Sequence, residues 1–112
     1  ALDIADGILK VAGNLLEDSD PRLRGIFHMS GRGDASWADF AEEIFRVSVS
    51  YGGPSASVGR ITTENYPTPA KRPVNSRLNN VSLRAIHALE LPSWRVSTQD
   101  VVKRLVASKD YL

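Results

Sequence analysis

The chain has no cysteine among its 112 residues, so neither a disulfide framework nor a thiolate metal site can stabilise it. That usage is compatible with a reducing, cytoplasmic setting. No apolar run approaches the roughly 20 residues that a membrane-spanning helix needs, and no charged and apolar leader precedes the first helical pattern. An excess of one charge is missing too. Fourteen Lys and Arg face 13 Asp and Glu, a formal net charge of +1 that gives no support for a general nucleic-acid or membrane partner. There is no internal repeat and no low-complexity tract. What is present, 42% hydrophobic and 24% charged residues, suffices for one small core. The sequence opens at Ala1 inside a helix-like pattern with no initiator methionine, which predicts a piece of a longer protein.

From Asp3 to Leu16, the apolar residues Ile4, Ile8, Val11, Ala12, Leu15 and Leu16 recur at helical spacing and predict an amphipathic helix. A turn at Asp18-Ser19-Asp20-Pro21 leads to Gly25–Gly31, expected to be a short strand between glycines. Ser36-Trp37-Ala38-Asp39 fits a capping box opening a second helix, with Trp37, Phe40, Ala41, Ile44 and Phe45 on its inner face. After Gly52-Gly53-Pro54-Ser55, Val58–Thr62 is expected to be a second strand. Asn79 or Asn80 caps a third helix through Val81, Leu83, Ile86 and Leu89, stopped by Pro92. A fourth is expected from Ser97, with Asp100 completing a capping box, Val96 stapled to Val101, and Val102, Leu105 and Val106 buried. The predicted class is a small, helix-rich α/β domain of about two strands and four helices, with too little sheet to bury both faces.

Three prolines and three cations mark Tyr66-Pro67-Thr68-Pro69-Ala70-Lys71-Arg72-Pro73-Val74-Asn75-Ser76-Arg77-Leu78. Proline fixes φ and holds the preceding residue extended, so the stretch reads as a stiff, anion-facing loop. Between Arg60 and Arg84 the cations are Arg60, Lys71, Arg72, Arg77 and Arg84, against the single acid Glu64. Trp37 and Trp94 are expected as core anchors, His28 as a buried strand histidine, and His87 at the surface or core edge. Neither histidine has a metal-ligand partner at useful spacing. Arg32-Gly33-Asp34 spells an adhesion tripeptide but reads as a strand-to-helix loop, with a modest case for an anion at the Ser36 helix N-terminus.

The loop resembles a Tyr-Pro-Thr-Pro-Ala-x-Arg-Pro-x-x-Ser-x-Leu pattern of the dTDP-4-dehydrorhamnose reductases, an extended branch of the short-chain dehydrogenase/reductases. Further points of resemblance are Asp3-Ile4-Ala5, Gly25–Gly31, Ser36-Trp37-Ala38-Asp39-Phe40-Ala41 and Leu91-Pro92-Ser93-Trp94, in family order. The family usually has Asp after the loop leucine. Here Asn79 stands there, which keeps a capping group and puts any role of a carboxylate charge in doubt.

The resemblance implies that residues 1–107 are the C-terminal substrate-binding domain of such a reductase, with 108–112 a tail and the Rossmann domain outside this chain. It implies an NADPH-dependent reduction of the C4 ketone of dTDP-4-dehydro-L-rhamnose by the intact protein. Lys71, Arg72 and Arg77 would meet the sugar-nucleotide diphosphate, and Asn75 and Ser76 the sugar or phosphate. The bland readings are a solvated basic loop, and turn residues bonded to their own backbone. The catalytic Tyr-x-x-x-Lys is absent, since Tyr66 and Lys71 are five apart with two prolines between them. Gly31-Arg32-Gly33 lacks the third glycine and the leading strand of a dinucleotide turn. No catalytic, cofactor or metal residue is therefore assigned, and the chain alone is not expected to catalyse. Expected partners are the nucleotide sugar, the missing domain and, through exposed apolar surface, another copy. The alternatives are a noncatalytic interaction module of reductase-like fold and a sister epimerase or dehydratase for nucleotide sugars.

Overall fold

Four stretches become helices in the computed structural model, which describes residues 1–108. They are α1 (Leu2–Glu17), α2 (Trp37–Ser50), α3 (Val81–His87) and α4 (Trp94–Ser108), with 3-10 turns at Pro21–Leu23 and Thr63–Asn65. No strand forms among the described residues, so the expected α/β class is corrected to a helical domain. Gly25–Gly31 and Val58–Thr62 carry no ladder. A strand exists only against a neighbour about 4.8 Å away, and neither segment has one among the described residues. The one remnant is an isolated parallel bridge between Arg32 and Ser93, in which Arg32 N–H donates to Pro92 C=O and Trp94 N–H to Arg32 C=O, each at 3.0 Å. Packing divides the described residues into two units, Ala1–Gly33 with Arg77–Ser97, and Asp34–Ser76 with residues 98–108.

The first unit is organised around α3. Leu83 and His87 on α3 are buried with Leu23 and Leu91, and Gly7 is the buried residue of α1. A Cβ at Gly7 would stand 2.8 Å from Met29 Sδ, so the absence of a side chain is what admits the methionine. His87, only 2% exposed, has each polar atom satisfied. Its Nε2–H donates to the Leu23 carbonyl at 3.1 Å, Nδ1 accepts from Asn14 Nδ2 at 3.2 Å, and the Phe27 ring meets it edge-on at 4.7 Å. Asn14 Nδ2 also donates to the His87 carbonyl at 3.2 Å, which fixes both the amide orientation and the imidazole tautomer, because a carbonyl can only accept. The expected histidine roles are thus exchanged: His28 is exposed and His87 lies in the core.

Capping of α3 is shared in a way the sequence leaves open. Asn79 Oδ1 accepts from Val81 N–H at 2.9 Å, while Asn80 turns its amide to the Ser30 carbonyl at 3.0 Å and the Ser30 hydroxyl at 2.9 Å. The helix ends on Ala88 in the left-handed region, φ 50° and ψ 38°, where a Cβ is disfavoured by about 1 kcal/mol or more.

In the second unit the Ser36 capping box forms as read: Asp39 N–H donates to Ser36 Oγ at 3.1 Å, and Ser36 N–H to Asp39 Oδ2 at 2.8 Å. Val47, Val102 and Thr98 are buried there. Glu43, 6% exposed, is held by Arg46 through two hydrogen bonds of 2.9 and 2.6 Å, the pairing a nearly buried carboxylate requires. Beyond α2, Gly53 N–H donates to Ser48 C=O at 2.8 Å and Ser48 Oγ to Pro54 C=O at 2.6 Å, which folds the chain tightly onto the helix end.

Three further expectations are corrected. Trp37 is 82% exposed and is no core anchor, because the first helical position leaves its side chain outside the inward stripe. Helix α4 begins at Trp94 and not at Ser97, since the bond from Trp94 N–H to Arg32 starts it earlier. Val96, Val101 and Leu105 are exposed, leaving Val102 and part of Val106 on the inner side. On α1, Ile8 and Leu16 likewise face outward. Asp110 and the rest of 109–112, most of the expected tail, lie outside the described residues.

Candidate functional site

Residues 66–78 form no helix or strand and run as an exposed loop, with Tyr66 and Val74 turned to solvent. The Thr68 hydroxyl donates to the Ala70 carbonyl at 2.8 Å, closing a small turn across Pro69. That turn presents Lys71 and Arg72 next in the chain, both exposed and neither in an ion pair among the described residues. Asn75 and Ser76 are exposed as well. All four belong to the second unit, whereas Arg77, also exposed, opens the second stretch of the first unit.

The other cations of the sequence cluster are committed elsewhere. Arg60 grips α2: its Nη2 lies 2.7 Å from Asp39 Oδ1, and its Nε donates to Glu42 Oε1 at 3.1 Å. Arg84 pairs with Glu90 at 3.3 Å, and Arg32 meets the same carboxylate at 3.0 Å. Structure therefore separates Arg60 and Arg84, which hold the fold, from Lys71 and Arg72, which are held out to solvent. Composition alone could not, because Asp39 and Glu42 lie 21 and 18 positions from Arg60.

The Arg60 network also has an electrostatic signature. The hydrogen bond from Ser36 N–H and then the Arg60 guanidinium hold the Asp39 carboxyl well below the usual carboxylate range. Two carboxylates in turn raise Arg60 above its ordinary value, Glu42 first and then Asp39. Because the folded pKa of Asp39 is depressed below the unfolded value of about 3.9, its contribution is present above that value and lost as pH falls through the folded one. Acid unfolding followed by circular dichroism should show wild type losing its margin over Asp39→Asn as pH drops below about 4. Equal separation of the two from pH 7 to pH 2 would remove the charge from the account.

An open groove of about 350 Å³ lies elsewhere in the second unit, lined by Glu42, Phe45, Arg46, Val49, Ser55, Ala56 and Val58. None of the loop residues lines it. Among the described residues there is no cluster of three metal-ligating side chains, and no helix is long and apolar enough to cross a membrane. In the Gly31-Arg32-Gly33 segment, Arg32 spends both its backbone N–H and its C=O on the bridge to Pro92 and Trp94.

A protein-family model described as the RmlD substrate binding domain matches residues 1–107. The chain is similar to a dTDP-4-dehydrorhamnose reductase of Sinorhizobium fredii (strain NBRC 101917 / NGR234), 42% identical over 104 residues that cover 93% of this chain and 35% of the relative. Similarity extends to the dTDP-4-dehydrorhamnose reductase of Escherichia coli (strain K12), 36% identical over 76% of this chain and 29% of the relative. A probable dTDP-4,6-dihydroxy-2-methyloxan-3-one 4-ketoreductase of Streptomyces antibioticus is 29% identical, over 96% of this chain and 33% of its own length. The chain thus spans about a third of the curated relatives it matches. No solved structure matches it.

Proposed function

We propose, from the premise that this chain belongs to the RmlD substrate-binding domain family, that it is the part of a dTDP-4-dehydrorhamnose reductase that receives the dTDP-linked sugar. Residues 1–107 are the domain concerned. The carrying observation is the pair Lys71 and Arg72, exposed on a proline-braced loop with no acidic partner among the described residues, while Arg60 and Arg84 are held in ion pairs. A guanidinium fork and an ammonium next to it suit the two phosphates of a nucleoside diphosphate. Asn75, Ser76 and Arg77 follow on the same loop as hydrogen-bond donors to phosphate or sugar oxygens.

In the whole protein the reaction is reduction of the C4 ketone of dTDP-4-dehydro-L-rhamnose by NADPH. Hydride and proton delivery are assigned to the remainder of the reductase, and binding and orientation to this domain. Calorimetric titration of dTDP-rhamnose into the chain tests the reading. Arg72→Ala should weaken binding about tenfold, the equivalent of one lost charge-assisted contact of roughly 1.4 kcal/mol. Raising the salt should weaken the wild type more than the variant. Identical affinities for wild type, Lys71→Ala and Arg72→Ala would remove the loop from the site.

A further inference from the structure

We infer that Arg60 is a positioning residue: its grip on α2 fixes where the proline-braced loop holds Lys71 and Arg72, and so sets how well they meet a nucleoside diphosphate. For the ligand this rests on the loop assignment above, and for the restraint on local geometry. From residue 55 to residue 76 no side chain is buried, and only Val58 and Thr68 are half-buried. Core packing, which places α2 through Val47, therefore does not place this stretch. A segment with so little burial keeps its position only through polar ties.

Arg60 supplies such a tie six positions ahead of Tyr66. Its Nε donates to Glu42 Oε1 at 3.1 Å and its Nη2 to Glu42 Oε2 at 2.5 Å, and the same Nη2 lies 2.7 Å from Asp39 Oδ1. Two prongs on one carboxylate fix the direction of the guanidinium as well as its distance. The carboxylates are fixed in turn: they stand three apart on one face of α2, and Asp39 is bound into the capping box by Ser36. An isolated exposed ion pair contributes little, but a bidentate pair within a network is the exception. Between this anchor and the two cations the chain has few soft joints. Asn65 N–H donates to the Thr62 carbonyl and Tyr66 N–H to the Thr63 carbonyl, each at 3.1 Å. Pro67 and Pro69 then fix φ, and the Thr68 hydroxyl closes onto the Ala70 carbonyl at 2.8 Å. A restraint at Arg60 is carried along this backbone to Lys71 and Arg72. Arg60 acts through the loop, its own fork being spent on the two carboxylates.

Amide order parameters and calorimetric titration of dTDP-rhamnose, both on the 112-residue chain, test the proposal. The order parameters of the Lys71 and Arg72 amides should fall from about 0.8 in the wild type to about 0.6 or lower in Arg60→Ala. Arg60→Lys, which keeps the charge and loses the fork, should lie between the two. Affinity for dTDP-rhamnose should drop about fivefold in Arg60→Ala, and less than about twofold when the same change is made in a Lys71→Ala/Arg72→Ala chain. A merely structural role would cost the same factor in both. The melting temperature should move by no more than about 5 °C, since all three side chains of the anchor are more than a third exposed. Unchanged order parameters at Lys71 and Arg72, or an equal loss of affinity in both backgrounds, would overturn the proposal. A Lys71→Ala/Arg72→Ala chain that binds as wild type would sink the loop assignment and this role with it. A weakened double variant beside an Arg60→Ala chain that binds as wild type would sink this role alone.

Discussion

Replacing His87 by alanine is expected to cost about 3–5 kcal/mol of stability, read as a shift of the urea unfolding midpoint at neutral pH. Two effects combine. Truncating a side chain that is 2% exposed leaves a cavity beneath Leu23 and Phe27, and it strands the Leu23 carbonyl. The Leu23 carbonyl loses its donor, at about 1–3 kcal/mol for a buried group left unpaired, while Asn14 loses one of its two acceptors and keeps the His87 carbonyl. Asn14→Ala should cost less, about 1–2 kcal/mol, because Asn14 is only partly buried and the imidazole still fills its space. The double variant should fall short of the sum, since the two share a hydrogen bond. A His87→Ala chain that unfolds within 0.5 kcal/mol of wild type would show that the imidazole is not the centre of the first unit.

Gly53→Ala should be nearly as damaging, at about 2–3 kcal/mol by thermal unfolding, although it adds a single carbon. A Cβ there would lie 2.5 Å from Ser48 Oγ, 2.7 Å from Val106 Cγ2 and 3.2 Å from the Ser48 carbonyl oxygen. Ser48 cannot swing aside cheaply: its hydroxyl donates to Pro54 at 2.6 Å and its carbonyl accepts from Gly53 itself. Alanine therefore breaks a hydrogen bond or pushes Val106, a half-buried residue of α4. Ser48→Ala together with Gly53→Ala should recover part of the loss by removing the nearest obstacle. A single variant as stable as wild type would mean that the chain after α2 can shift freely.

What could be read from residues alone was local. The start of α2 is legible because Ser36 and Asp39 are three apart and satisfy each other, with no distant help. The same logic misplaced the start of α4: Ser97 and Asp100 repeat the pattern, but a bond from Trp94 to Arg32, 62 positions away, begins the helix a turn earlier. The glycines that bracket Gly25–Gly31 suggest a strand, yet a strand is a property of two paired segments, and no ladder forms there among the described residues. His87 could not be recognised as a core residue because its partners, Leu23 and Asn14, are 64 and 73 positions away. For the candidate site, the cations were legible as residue types. That Arg60 and Arg84 are tied into ion pairs was not, because it depends on where Asp39, Glu42 and Glu90 fall in space.

Ala88 makes one backbone position an asymmetric target for drift. The chain turns there through a left-handed conformation that alanine enters at a cost and glycine does not. Larger or branched residues at Ala88 are disfavoured by backbone sterics before any contact is considered, whereas glycine enters that conformation freely. A lineage that acquired that glycine would gain tolerance for a destabilising change elsewhere, such as new chemistry on the proline loop, while the helices stayed as they are.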